Sequence, residues 1–256
     1  MRRLISVAAC LALAFFSADG ALAAEKAPVY KDASAPIEER VEDLLSRMTL
    51  EEKIMQLNQY TLGLNTVENN LRDMVGKVPA EAGSVIYFSD DAKMRNAMQK
   101  RCIEESRLGI PMLFGHDVIH GYRTLTPIPL AQAASWNLSL VEKVSSDAAR
   151  EASACGVDWT FSPMVDVARD PRWGRVMEGY GEDAFLTSEF CRAAVRGYQG
   201  SDLSENGTIA ACLKHFVGYA ASEAGLDYDY TEISDQTLWD TYMPPYRAGV
   251  EEGAQT

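Results

Sequence analysis

Val157-Asp158-Trp159-Thr160-Phe161-Ser162-Pro163-Met164-Val165-Asp166-Val167 is followed without a break by Ala168-Arg169-Asp170-Pro171-Arg172-Trp173-Gly174-Arg175-Val176-Met177-Glu178-Gly179-Tyr180-Gly181-Glu182-Asp183. The first part is an apolar run and reads as a buried strand. The second is a loop dense in Arg, carboxylates, Trp, Tyr and Gly. A packed core has no use for so many charges beside an indole, whereas cations and carboxylates around aromatic faces suit a polar, flat-faced ligand such as a sugar. The same residues also suit a salt-bridged surface loop, and this loop alone leaves both readings open.

Working outward, the flanks repeat the pattern of apolar strand, polar turn and helix. Gly83 to Phe88 is a strand, and Asp91 to Arg107 a helix with Met94, Ala97, Met98 and Cys102 on one face, closed by Gly109. Ile110 to Phe114 is the next strand and ends in Gly115-His116-Asp117. A loop runs to Trp136. Asn137 or Ser139 then caps a helix reaching Cys155, with Gly156 as its stop. After the quoted stretch come a helix from Ala184 to Tyr198, a fourth strand from Thr208 to Leu213 ending in Lys214-His215, and a loop from Tyr219 to Thr231. Ser234 caps a last helical region that Pro244-Pro245 interrupts and restarts. Nearer the N-terminus, Ile37, Val41, Leu44, Leu45 and Met48 recur at helical spacing, and Thr49-Leu50-Glu51-Glu52 is a capping box for a second helix.

Continuous apolar strands alternating with helices mean a parallel sheet. No glycine fingerprint follows the first strand, so a dinucleotide fold has no support. Polar residues gather where strands end, as in barrels that build sites on that face. The fold class is α/β, a TIM-like (β/α)8 barrel. About four βα units are present where a closed barrel has eight, so the chain is expected to hold the first half of a truncated domain.

The chain has 256 residues, a formal charge of −13 and 47% hydrophobic residues, enough for one large α/β domain. Its acidity argues against nucleic acid and anionic membrane surfaces. Met1-Arg2-Arg3, the apolar Leu4 to Phe16 and Ala21-Leu22-Ala23 have the features of a secretory signal, too short to span a membrane. Residues 1–23 are therefore expected to be removed on export to a periplasm or the outside, leaving 24–256 as the mature part, with no membrane insertion. Cys102, Cys155, Cys191 and Cys212 remain. An oxidising compartment permits a disulfide, but their wide spacing in apolar or helical surroundings suits small buried residues better.

All three histidines lie at or near strand ends. His116 and His120 have the i, i+4 spacing of a helical zinc pair, but the segment is a poor helix and offers Asp117 where a metalloprotease needs Glu. A metallohydrolase is the remote alternative, and no metal site is assigned. Asp117, at the mouth of its strand, suits either a bidentate grip on two sugar hydroxyls or an ion pair with Arg123. Lys214 needs a partner or solvent at the end of an apolar strand, and with His215 beside an acidic mouth it favours hydroxyl recognition. Arg169, Arg172 and Arg175 cannot all face one ligand; some are expected to pair with Asp166, Asp170, Glu182 or Asp183. Trp173 and Tyr180 are either stacking platforms or loop packing.

Three stretches together, Gly115 to Gly121, Arg169 to Arg175 with Glu178 and Gly181-Glu182-Asp183, and Lys214-His215-Phe216, resemble glycoside hydrolase family 3, and most closely its secreted or periplasmic bacterial β-glucosidases. The resemblance spans nearly the whole mature chain. It implies that Asp117, Arg123, Arg175, Lys214 and His215 bind the hydroxyls of a terminal sugar on a TIM-like barrel. It implies hydrolysis of terminal non-reducing β-D-glucosyl residues with retention, on β-glucosides or oligosaccharides, without a cofactor. The family's nucleophilic Asp and acid/base Glu are expected beyond Thr256, so no residue of this chain is assigned a catalytic role. Glu178, Glu182 and Asp183 are read as braces of the loop. The fragment alone would then be at most a weak, non-catalytic sugar binder, or would not fold stably, because half a barrel leaves parallel strand edges unpaired.

Overall fold

The computed structural model describes residues 27–62, 75–76 and 78–256, and the expected signal at 1–23 lies outside them. The chain divides into two compact units at Met48–Thr49. In the first, a 3-10 turn at Val29–Lys31 precedes helix α1, Ile37–Arg47. Asp43 joins them by accepting from the Tyr30 amide at 3.0 Å and from Arg47 at 2.8 Å.

The second unit is built on a parallel sheet. Helix α2, Leu50–Gln56, opens with the expected capping box between Thr49 and Glu52. Strands β1 (Gln59–Leu62), β2 (Ser84–Tyr87), β3 (Leu113–His116) and β4 (Trp159–Thr160) follow in spatial order, every pair parallel. Between them run α3 (Ala92–Glu105), α4 (Pro129–Ala134) and α5 (Leu138–Ala154). After β4 come α6 (Ala184–Gln199) and α7 (Pro244–Glu251). Sequential parallel neighbours joined by helices are the pattern of a βα barrel wall.

The helix boundaries have visible causes. Asp91 accepts from Lys93 and Met94 at the start of α3, Asn137 from Leu140 at α5, and Asp183 from Leu186 at α6. Each fills an orphan donor of the first turn. At the end of α5, Gly156 takes φ +88°, a left-handed conformation that a glycine adopts without steric cost. Pro244 and Pro245 occupy the first turn of α7, where a missing N–H costs nothing.

The structure departs from the sequence reading in the sheet. The expected strand from Val157 to Val167 is regular only at Trp159–Thr160. Pro163, which has no N–H to give a ladder, breaks it. The segment nevertheless keeps parallel bonding to the expected fourth strand. Thr160 N donates to Ala210 O, Cys212 N to Ser162 O, and Val165 N to Lys214 O at 2.8 Å, and bridges join Trp159 to Ala210 and Met164 to Lys214. Residues 210–214 thus run beside the β4 segment through two isolated bridges and these hydrogen bonds, without forming a regular fifth strand. Strand β1 and helix α4 were not anticipated.

Two of the apolar clusters among the described residues tie the helices together and to the sheet. One joins β1–β3 to α3 through Leu62, Val85, Tyr87, Met94, Met98 and Phe114. The other joins α5, α6 and α7 through Val141, Ala149, Phe190, Cys191, Ala194 and Tyr246. All four described cysteines are free thiols. Burial pushes the Cys191 thiol up to about 12, which leaves it an inert packing group.

Candidate functional site

Parallel strands deliver the residues that follow them to one edge. His116 ends β3 and Asp117 comes next; Met164 pairs with Lys214, so Asp166 and His215 emerge side by side. Lys214 Nζ donates to Asp117 Oδ1 at 2.6 Å across this edge. The Lys214 side chain is largely buried along its stem, while Asp117 is 40% exposed and keeps acceptor capacity for a ligand.

His215 is fixed on three sides. Its backbone N–H donates to Asp166 Oδ2 at 2.9 Å, its ring Nδ1 faces the same oxygen at 3.0 Å, and Nε2 faces Arg175 Nη1 at 3.1 Å. A guanidinium can only donate, so Nε2 accepts and Nδ1 carries the proton toward Asp166. Asp166 is 3% exposed, and its Oδ1 has no hydrogen-bond partner among the described residues. The Tyr246 hydroxyl donates to the His215 carbonyl from below.

Arg175 is itself held. It makes a bidentate pair with Glu178, Nε to Oε1 at 2.7 Å and Nη2 to Oε2 at 2.6 Å, and lies over the Tyr219 ring. The guanidinium beside Glu178 holds its carboxyl below its ordinary value, against the opposing effect of burial. A depressed folded-state pKa contributes stability that is complete above the unfolded Glu value, about 4.3, and is lost as pH falls through the lowered one. Thermal unfolding followed from about pH 6 down to about pH 3 should therefore show an acid-side loss that Glu178→Gln flattens. An unchanged acid limb in that variant would exclude the pair as its source.

The loop between these residues is braced in part as its charge pattern implied, and Glu182, also read as a brace, makes no hydrogen bond or ion pair among the described residues. Arg172 pairs bidentately with Asp170, whose carboxyl that guanidinium lowers to about 2. Asp183 caps α6 and Glu178 holds Arg175. The aromatic question is decided for packing: Trp173 is 1% exposed, Tyr180 is buried and stacks on Phe190, and neither is a platform.

Four of the five expected site residues, Asp117, Lys214, His215 and Arg175, form two linked pairs on one edge. The fifth stands apart. The ion pair considered between Asp117 and Arg123 is absent: Arg123 reaches Asp90 at 2.7 Å, and Lys214 takes its place on Asp117. Gly121, at φ +121° and bridged to Leu125, turns the chain so that Arg123 points toward the loop after β2. His116 and His120 each direct Nδ1 to a carbonyl, of Tyr87 and Thr126, and no cluster of three metal-ligating side chains occurs among the described residues. Asp166, which sequence reasoning treated only as a partner for an arginine, proves to be the residue that orients His215. Its single signal was a lone carboxylate in an apolar run.

Fold and site define a parallel α/β protein of the barrel type, with its charged groups collected where the strands end. The chain belongs to glycoside hydrolase family 3: residues 49–256 match the description "Glycosyl hydrolase family 3 N terminal domain", a TIM-like barrel. It is 40% identical over 214 residues to a periplasmic beta-glucosidase of Salmonella typhimurium, covering 84% of this chain and 28% of that protein. A putative beta-xylosidase of Formosa agariphila is 38% identical, with 87% of this chain and 32% of that one covered. Among solved structures, a beta-glucosidase from Listeria innocua in complex with isofagomine superposes with a TM-score of 0.77 at 45% identity, over 85% of this chain and 31% of that one. The chain thus spans about a third of the length of these relatives.

Proposed function

We propose that this chain supplies the sugar-gripping part of a retaining, exo-acting β-glycosidase whose substrates are β-glucosides or oligosaccharides with a terminal non-reducing β-glucosyl residue. The observation that carries the reading is the Lys214–Asp117 pair, set beside Arg175–His215 on one edge of the sheet. A carboxylate that accepts and an ammonium that donates, 2.6 Å apart, match two neighbouring hydroxyls of one sugar, each of which both donates and accepts. Arg123, which the family resemblance also implies as a binder, pairs with Asp90 and not with these four residues.

Retention requires two carboxyl groups about 5 Å apart, one attacking the anomeric carbon and one protonating the leaving oxygen. The carboxylates nearest the site are already committed: Asp117 to Lys214, Asp166 to His215, Glu178 to Arg175. The proposal therefore assigns the nucleophile and the acid/base to polypeptide following Thr256, and the length of the relatives supports that assignment. The groups present here position the sugar and strengthen their hold on its hydroxyls as oxocarbenium character develops. No metal or organic cofactor enters such a reaction. Residues 1–23 are read as an export signal and the protein as periplasmic or secreted. The name of the Salmonella relative supports this, and no helix among the described residues is long and apolar enough to cross a membrane.

The test is a titration of residues 24–256 with glucose by ligand-observed NMR. Saturable binding is expected, weakened about ten- to hundredfold by Lys214→Ala, the loss of one charge-assisted hydrogen bond. Equal affinity in wild type and variant would remove the reading. An aryl β-glucoside should be turned over by the product of the full reading frame and not by residues 24–256; turnover by the latter would place a catalytic carboxylate among the residues described above.

A further inference from the structure

Lys214 is the last residue of its segment to bond as a strand does. Its N–H donates to Pro163 O at 3.3 Å and its carbonyl accepts from Val165 N at 2.8 Å. One residue further on, the His215 N–H goes to the Asp166 carboxylate and the His215 carbonyl accepts from the Tyr246 hydroxyl. Backbone groups this deep need partners, and here both come from side chains, one 49 residues before His215 and one 31 after it. A strand residue ordinarily takes its direction from neighbouring strands. His215 takes it from two side chains.

Tyr246 is suited to hold a carbonyl still. It lies in α7, is 5% exposed and belongs to the core that contains Phe190 and Cys191. Burial, with the Asp166 charge adding to it, pushes the Tyr246 phenol well above its ordinary value, so the hydroxyl keeps its proton and stays a donor. Helix α7 is itself closely fitted. A Cβ on Gly249 would stand 2.5 Å from Leu213 Cδ2, and Arg192 donates to Ala248 O at 3.0 Å and to Glu251 at 2.8 Å. The helix thus touches the segment at Leu213 and at His215, on both sides of Lys214.

We propose that Tyr246 is a positioning residue of the site: its hydroxyl sets the direction of the His215 peptide group, and with it the approach of Lys214 to Asp117 and of the His215 ring to Arg175. The inference rests on the reading of those four residues as the grip on the terminal sugar. Buried in the core, Tyr246 does not meet the sugar and acts through His215. Asp166 governs the N–H and the ring of that histidine, and Tyr246 governs its carbonyl. A hydrogen bond weakens steeply as its angle departs from linear, so the pair fixes both ends of one residue.

The experiment uses Tyr246→Phe, which removes the hydroxyl and keeps the ring with its edge contact to Phe216 at 5.5 Å. In residues 24–256 this variant should bind glucose about five- to tenfold more weakly, the loss of one hydrogen bond. The ring nitrogen NMR signals of His215 should move while those of His116 and His120 stay. Tyr87→Phe is the control. The Tyr87 hydroxyl also donates to a backbone carbonyl, that of Asp91 at 2.8 Å, from a fully buried ring in the core of β1–β3 and α3. Its loss should lower stability and leave glucose affinity within about twofold of wild type. Full affinity in Tyr246→Phe, an equal loss in Tyr87→Phe, or unmoved His215 signals would each overturn the positioning role, while glucose binding by the wild type kept the sugar grip standing. Absence of glucose binding in the wild type would remove both.

Discussion

Replacing Asp166 by alanine is expected to cost about 3 kcal/mol of stability and to weaken glucose binding by more than about tenfold. The carboxylate is 3% exposed and serves His215 twice, through the backbone N–H and through ring Nδ1. Alanine leaves both part-buried donors without that acceptor, and a fully buried unsatisfied group costs about 1–3 kcal/mol. Part of this is returned because Asp166 Oδ1 is itself buried without a partner among the described residues, and its removal relieves that penalty. The functional loss follows from the ring's orientation. Without Asp166 the imidazole keeps only its Nε2 contact with Arg175 and loses the acceptor that fixes Nδ1. Asp166→Asn separates the two effects. It keeps an acceptor for His215 and should retain most of the stability, while loss of the negative charge still weakens the orientation of the ring. Denaturant unfolding and glucose titration of both variants test this. Binding unchanged in Asp166→Ala would show that His215 needs no orienting partner.

How much of this could be read beforehand depends on the range of the interaction. Caps are local: Thr49 with Glu52, Asn137 at α5 and the proline start at Pro244 stood in the sequence, because each acts within four residues. The strand and helix alternation was legible from apolar runs, and with it the barrel class. Strand β1 was not: Gln59-Tyr60-Thr61-Leu62 is short, only half apolar, and follows a helix at once. Helix α4 was hidden between Pro127 and Trp136, where Pro129 reads as loop although it is the first residue of the helix. The break at Pro163 was written plainly in the sequence, but a run of apolar neighbours outweighed it.

The site divides in the same way. That polar residues would collect where strands end followed from the parallel topology, and Asp117, Lys214 and His215 were read on that ground, whereas Arg175 and Arg123 came from the family resemblance alone. Their pairing was not available, since Lys214 meets Asp117 across 97 residues and His215 meets Asp166 across 49. Sequence proximity suggested Arg123 for Asp117, and the turn at Gly121 overruled it. The two loop aromatics show the converse. Trp173 and Tyr180 looked equally suited to stacking and to packing, and their burial decided for packing.

The other large effect is structural and sits far from the sugar-facing edge. Gly197 lies inside α6, where exchange for alanine ordinarily gains about 1 kcal/mol of helix propensity. Here a Cβ would stand 2.4 Å from the Glu142 carbonyl oxygen and 2.6 Å from the Ser145 Cβ, both on α5. The first of these atoms is backbone and cannot rotate away. The two helices must separate, and α5 and α6 share the core that contains Val141, Ala149, Phe190 and Ala194, so separation loosens that packing as well. Overpacking of this kind costs about 1–3 kcal/mol and occasionally more. With the upper end of that range set against the propensity gain, the net loss for Gly197→Ala is about 2 kcal/mol, and Gly197→Leu should leave no cooperative unfolding transition. Chemical denaturation of the alanine variant decides between the two contributions. Stabilisation would mean that propensity wins and the helices part freely; destabilisation with glucose affinity retained would place the cost in the helix crossing alone. The second outcome is the one the geometry requires, because the sugar-facing residues hang from the sheet and from the loops beyond it, and neither α5 nor α6 contributes a side chain to their hydrogen bonds.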